Sequence, residues 1–348
     1  MKKLVSLLTA ALFSVSLLLS LTSCGDSREK IYVLSYGEYI GEGVLDKFEA
    51  EYPQYRVVYD ESATPEEMYQ KLSGGVPYDV LVCSDYIIEK MIKENILKEI
   101  DKTKLSNYQY VDEQLRGGLY DPEGKYAVPY MWGTLGIIYN TKLVTEPVDS
   151  WSILWDEKYA GKIQVLDSQR DSMAMALRYC GYSINSTNEN EINEALAALK
   201  TQKTTMHPVI GVDDLKAPMA AGQYALTVEY SGDAMELMDQ NEDLAYAVPK
   251  EGSNIWVDAL IMPTTGKNEE GAYAYIDFMC RSDIALENTE YIMYSTPLTT
   301  VADEIGDEFK QNPAFNPPAE TVARCEYYDD LGDALSLYNK AWEDYRLN

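Results

Sequence analysis

The chain has 348 residues, the length of two ordinary domains, and its 46% hydrophobic content supplies a sizeable core rather than wholesale disorder. Its 57 acidic and 29 basic residues leave a formal charge of -28 at pH 7, which argues against a nucleic-acid binder, since that class needs a basic footprint. Such acidity is compatible with a cationic ligand, although acidity spread over a surface serves solubility, and 29 tyrosines against 5 phenylalanines favour rings that work at half-wet clefts.

At the N-terminus, Lys2 and Lys3 precede an apolar run over 4–21, followed by Ser23 and Cys24. A basic segment before an apolar one marks a secretory signal, and the run approaches the length of a membrane anchor. The small-residue site ending in cysteine resembles the bacterial lipobox. That resemblance implies a signal over 1–23, a lipid on Cys24 and a short polar tether over 24–30. The protein would then be exported and lipid-anchored on the outer face of the bacterial cell membrane, or held in the periplasm. The remaining Cys83, Cys180, Cys280 and Cys325 fit no CxxC spacing. Both disulfides and lone buried thiols stay open for them.

From Lys30 onward, strand and helix patterns alternate. A strand over 31–35 leads to a helix over 43–52 and a strand over 55–59. The segment 64–72 opens with Thr64 as cap and Pro65 at the first helical position. A strand over 78–83 is apolar enough to be buried on both faces and runs into a helix over 84–93. A second series follows Trp132-Gly133, with strands over 135–139, 163–166 and 225–229, and helices over 171–180 and 191–200. The chain then passes through a strand over 256–262 and helices over 268–280, 283–291 and 330–346. Alternation of this kind predicts right-handed crossovers and a parallel sheet. The break near 130–136 and the return near Trp256 predict two lobes joined by more than one crossing: 31–135 plus 257–302, and 136–256 plus 303–348.

Ligands of open parallel sheets bind beyond the carboxyl ends of the strands, so the residues at each exit are the candidates. They are Tyr36-Gly37-Glu38-Tyr39, Ser84-Asp85-Tyr86, Asp167-Ser168-Gln169-Arg170-Asp171 and Tyr230-Ser231-Gly232-Asp233. Aromatics and carboxylates recur at every exit, with hardly a base among them. Trp256 and Asp258, two apart in a strand, face the same side, and an indole face beside a carboxylate suits an organic cation. Against this, Ser84, Asp167 and Asp171 are also ordinary helix caps, and Glu38 an ordinary solvated loop charge.

In order and spacing, these stretches resemble the spermidine/putrescine-binding component of polyamine ABC transporters over nearly all of the chain beyond the signal. The likeness also rests on Val128-Pro129-Tyr130-Met131-Trp132-Gly133, Val248-Pro249-Lys250-Glu251-Gly252 and Tyr294-Ser295-Thr296-Pro297. The resemblance implies an α/β, two-lobed, periplasmic-binding-protein-like (type II) fold with a ligand cleft between the lobes. Glu38, Asp171 and Asp258 would take ammonium groups. Tyr36, Tyr39, Tyr230, Trp256 and Tyr294 would line the methylene chain, Ser84 and Tyr86 would add hydroxyls, and Tyr328 stands where a Gln would help hold a terminal amine. Ser168 replaces a second carboxylate of its loop, unless Asp167 turns in. The implied partners are spermidine or putrescine and a membrane permease, with no cofactor, metal or nucleic acid, and a monomeric state.

An enzyme is the rival of a different class. The single histidine, His207, precedes Pro208, and no GxSxG, HExxH, phosphate-loop or GxGxxG pattern is present. A ferric-ion binder of the same architecture is the closer rival, for which Tyr327-Tyr328 would be suggestive.

Overall fold

The computed structural model describes residues 26–347 apart from 119, so the signal segment and Cys24 lie outside the described residues. The strands are β1 (Glu29–Ser35), β2 (Tyr55–Glu61), β3 (Val80–Ser84), β4 (Ala127–Asn140), β5 (Ile163–Leu166), β6 (Val209–Gly211), β7 (Leu226–Tyr230), β8 (Leu244–Ala247) and β9 (Ile255–Ile261). The helices that shape the site are α1 (Val44–Glu51), α2 (Pro65–Ser73), α3 (Asp85–Lys93), α4 (Gln169–Tyr179), α5 (Glu189–Met206), α6 (Lys216–Ala220), α7 (Ser231–Gln240), α8 (Glu269–Met279), α9 (Ser282–Ile292) and α10 (Leu335–Leu347). Among the described residues no helix is long and apolar enough to cross a membrane.

The strand order is β2-β1-β3-β9-β4-β7-β5-β6, with β8 on β4. The chain has two lobes that share one strand. Residues 127–134 of β4 pair with β9 in the first sheet, and its later residues pair with β7 and β8 in the second. Sequence reading begins this strand after Trp132-Gly133, over 135–139. The strand in fact starts at Ala127 and runs through Gly133 as well as Gly136, and each glycine marks a close approach rather than a break. A side chain at Gly133 would come 2.6 Å from the Trp256 ring, and one at Gly136 would come 2.5 Å from Tyr246.

The expected all-parallel sheet is also corrected. β1 pairs in parallel with β2 and β3, but β9 runs antiparallel to both β3 and β4. The reason is connectivity. β9 enters its sheet on the way back from the second lobe, not through a helical crossover from β3, and an antiparallel neighbour needs no crossover.

Odd and even residues of β9 go to different cores, as a period of two requires. Val257, Ala259 and Ile261 pack with Leu34, Leu81 and Ile88, whereas Trp256 and Leu260, with Met262 just beyond the strand, face the group of Ile31, Phe48 and Tyr275. The second lobe is built on Trp151, Met173, Leu177 and Leu226, closed from outside by Tyr338 and Tyr345 of α10. Local signals hold at helix starts: Thr64 accepts from the Glu67 N–H ahead of Pro65, and Asn268 accepts from the Gly271 N–H. All four described cysteines are free thiols.

Gly252, at the return crossing before β9, has φ of 86°, and a Cβ there would fall 2.0 Å from the Arg324 carbonyl oxygen. Its own carbonyl accepts the Trp151 indole N–H at 2.9 Å. Gly252→Ala is therefore expected to cost about 2–4 kcal/mol, lowering Tm by roughly 5 °C or more. Calorimetric scans of the two proteins check this, and superimposable transitions would refute it.

Candidate functional site

The predicted site residues gather round two buried carboxylates. Asp258 is 5% exposed and lies in register between Ser84 of β3 and Met131 of β4. The Ser84 hydroxyl donates to one of its oxygens at 2.6 Å and the Tyr39 hydroxyl to the other at 2.7 Å. Tyr36 shares a hydrogen bond with Ser84 at 2.8 Å and meets the Tyr39 ring edge-on. Ser84 occupies the cap position of α3 but makes no capping bond. Its hydroxyl is committed to the carboxylate instead. Tyr39 is held in turn by Tyr130, which donates to its carbonyl at 2.9 Å from the bulge that interrupts β4 between Pro129 and Met131.

Burial pushes Asp258 up to about 6, against the downward pull of the Ser84 and Tyr39 hydroxyls. Tyr39 is itself raised, by burial first and then by the Asp258 charge beside it. Asp258 therefore carries its charge at neutral pH in a place where a bare charge is costly.

Asp171 forms the second centre. It sits in the first turn of α4, whose cap is Ser168 rather than Asp171 itself. Ser168 and Tyr230 donate to one oxygen, Tyr230 at 2.7 Å, and Tyr328 donates to the other at 2.8 Å. Tyr328 therefore buttresses the carboxylate, and its ring is covered by the Arg170 guanidinium at 4.2 Å. Burial, then the Asp171 charge, raise both phenols well above the ordinary tyrosine range.

Two contacts run between the elements that carry the centres. Tyr86 of α3 meets the Tyr328 ring edge-on at 6.2 Å, while its hydroxyl donates to Glu66 of α2 at 2.8 Å. Tyr294, just beyond α9, packs edge-on against Trp256 at 4.8 Å and Tyr39 at 6.2 Å, and donates to Asp233 of α7 at 2.7 Å. Gly232 makes room for it: a Cβ there would lie 2.3 Å from the Tyr294 ring. Tyr36, Tyr39, Tyr130, Tyr294 and Trp256 thus form an aromatic wall at Asp258, and Tyr86, Tyr230 and Tyr328 a second group at Asp171.

Glu38 is the member the structure does not bring in. It is exposed, in the left-handed region with φ of 56°, and has no hydrogen-bond or ion-pair partner among the described residues. Asp167 likewise turns outward, to Arg346 at 3.4 Å, and so does not replace the carboxylate missing at Ser168.

Sequence reading places Asp85 among the strand-exit residues but gives it no role. It is 1% exposed and accepts the backbone N–H groups of Tyr86 at 2.7 Å and Val257 at 3.1 Å. It thus ties the start of α3 to the residue between Trp256 and Asp258. Burial pushes it up to about 8.

The adjacent phenols that would favour iron diverge. Tyr327 packs with the first lobe beside Tyr120 and Leu115, and Tyr328 with Ala174 and Ile184 of the second. His207 is exposed at the end of α5.

A model of the bacterial extracellular solute-binding proteins matches residues 43–317. The chain is 32% identical over 319 residues to the spermidine/putrescine-binding periplasmic protein of Salmonella typhimurium, with 91% of each covered. Among solved structures it is similar to the spermidine/putrescine ABC transporter substrate-binding protein of Streptococcus pneumoniae, at 32% identity and a TM-score of 0.83, covering 92% of this chain and 99% of that one. A lipoprotein of Treponema pallidum matches at 26% identity and a TM-score of 0.82, covering 92% and 100%.

Proposed function

The chain belongs to the bacterial extracellular solute-binding proteins, and from that premise we propose that it captures polyamines, spermidine or putrescine, between its lobes for delivery to an ABC importer. The observation that carries this reading is the pair of buried carboxylates, Asp171 clasped by the Tyr230 and Tyr328 hydroxyls and Asp258 by those of Tyr39 and Ser84, each among aromatic rings. A polyamine is the complementary object, with separated ammonium groups on a methylene chain. Burying the methylenes gains about 0.8 kcal/mol per CH2, and a desolvated cation–π contact adds up to roughly 2 kcal/mol. The tyrosine hydroxyls hold each carboxylate in place before the ligand arrives, which lowers the ordering cost of binding.

Residues 31–135 plus 257–302 and 136–256 plus 303–348 would close as two bodies about the ligand, stabilised by whatever it contacts on both sides. A permease would read the closed form. We take Glu38 to meet the ligand at the rim only on closure. A lipid on Cys24 would keep a single copy at the membrane surface. Ferric iron is the weaker reading, because Tyr327 and Tyr328 face different cores.

Thermal-shift measurements against polyamines, amino acids and ferric iron test the proposal. A ligand at about a thousand times its Kd stabilises by about 4 kcal/mol, so putrescine or spermidine should raise Tm by several degrees. A shift with amino acids or iron, and none with polyamines, would overturn the reading.

A further inference from the structure

Asp233 is a third carboxylate one hydrogen bond behind the aromatic wall, and it is already matched by a cation of the protein's own. It stands in the first turn of α7, beyond the exit of β7 that also presents Tyr230. One of its oxygens accepts from Tyr294 at 2.7 Å, and the other is paired with the Lys216 ammonium. Glu236, one turn along, stands 3.7 Å from that ammonium. Beneath them is Glu229, 2% exposed, which accepts the Tyr230 N–H at 3.0 Å and leaves its second oxygen without a partner among the described residues. Burial, then the Asp233 charge, push Glu229 well above the ordinary carboxylate range. Burial opposes the Lys216 charge, but Asp233 outweighs it and the ammonium is held more firmly than in water.

Lys216 is chemically the end of a polyamine: a primary ammonium on a methylene stem. It is also tethered, so it competes at an effective concentration that a free ligand does not reach. We propose that Lys216 withholds Asp233 from the cleft, leaves Asp171 and Asp258 as the two buried counter-charges, and so tunes the site toward dications over trications. The inference rests on the polyamine reading and narrows it to a diamine-preferring site. A third ammonium reaching Tyr294 would have to shed its water where Asp233 is already paired with Lys216 and where burial holds Glu229 toward its neutral form.

Calorimetric titration of putrescine and spermidine into wild type, Lys216→Met and the double variant Lys216→Met/Asp233→Asn tests this. Wild type should favour putrescine by about tenfold or more, the scale of one partly buried charge interaction. Lys216→Met should tighten spermidine roughly tenfold and leave putrescine within about threefold, and the double variant should restore the wild-type ratio. The double variant also removes the Asp233 charge that Lys216→Met exposes, so its return to the wild-type ratio separates that charge from a general disturbance of α6 and α7. A putrescine-to-spermidine ratio unmoved by Lys216→Met, or both affinities shifting together as a general loosening of the site would produce, overturns the inference. A wild type that binds neither overturns the polyamine reading and the inference with it.

Discussion

Asp258→Asn should abolish high-affinity polyamine binding and at the same time make the empty protein more stable. The two effects have one cause. Asp258 is raised from 3.8 to about 6 by burial, which means that holding its charge in the folded state costs about 3 kcal/mol at neutral pH. Asparagine removes that charge in nearly the same shape. The Ser84 and Tyr39 hydroxyls can each turn to donate or accept, so both retain a partner. An ammonium arriving at the variant meets a dipole in place of a counter-charge, and breaking one half of a buried ion pair costs about 2–5 kcal/mol. Affinity should fall by about a hundredfold or more, while the Tm of the unliganded protein rises by several degrees. Titration calorimetry and a melting scan read the two halves separately. A variant that binds spermidine and putrescine as wild type does would dismiss Asp258 as a ligand, and one that melts lower would dismiss the cost assigned to its charge. Spending stability to keep a binding charge in place is a common trade in functional sites.

The sequence carries much of this site because strand periodicity is local. Trp256 and Asp258 lie on one side of β9 for no reason beyond their spacing. The exits after β1, β3, β5 and β7 supply Tyr36, Ser84, Asp171 and Tyr230 because a strand's end fixes where its next residues emerge. What sequence does not carry is the choice a polar side chain makes among partners. Ser84 reads equally well as a cap, and only the arrival of β9 beside β3 gives its hydroxyl a carboxylate to serve. Asp85 and Val257 are bonded across 172 positions. Lys216 and Asp233 meet because α6 and α7 flank β7, a contact that no motif announces. The antiparallel entry of β9 escapes for the same reason: strand direction depends on the route the chain takes through the other lobe.

Lowering the pH from 7.5 to 5 should weaken polyamine binding about tenfold. Aliphatic ammonium groups, with pKa values near ~10, keep their protons throughout this range, so the change belongs to the protein. Binding needs the ionised carboxylate, and with Asp258 at about 6 the competent fraction falls about tenfold at pH 5. The effect on the unliganded protein has the opposite sense. A carboxyl raised on folding binds more protons in the native state than in the unfolded one, so stability falls as pH rises, between 3.8 and about 6 for Asp258 and between 3.8 and about 8 for Asp85. Empty protein should therefore melt higher at pH 5.5 than at pH 8, while the extra stabilisation conferred by ligand grows over the same interval. Calorimetry at pH 6 in buffers of different ionisation enthalpy adds a direct count, since about half a proton should leave per ligand bound. An affinity flat from pH 5 to 7.5 with no proton released would show that Asp258 is already charged throughout, and that its burial in the tyrosine wall does not govern capture.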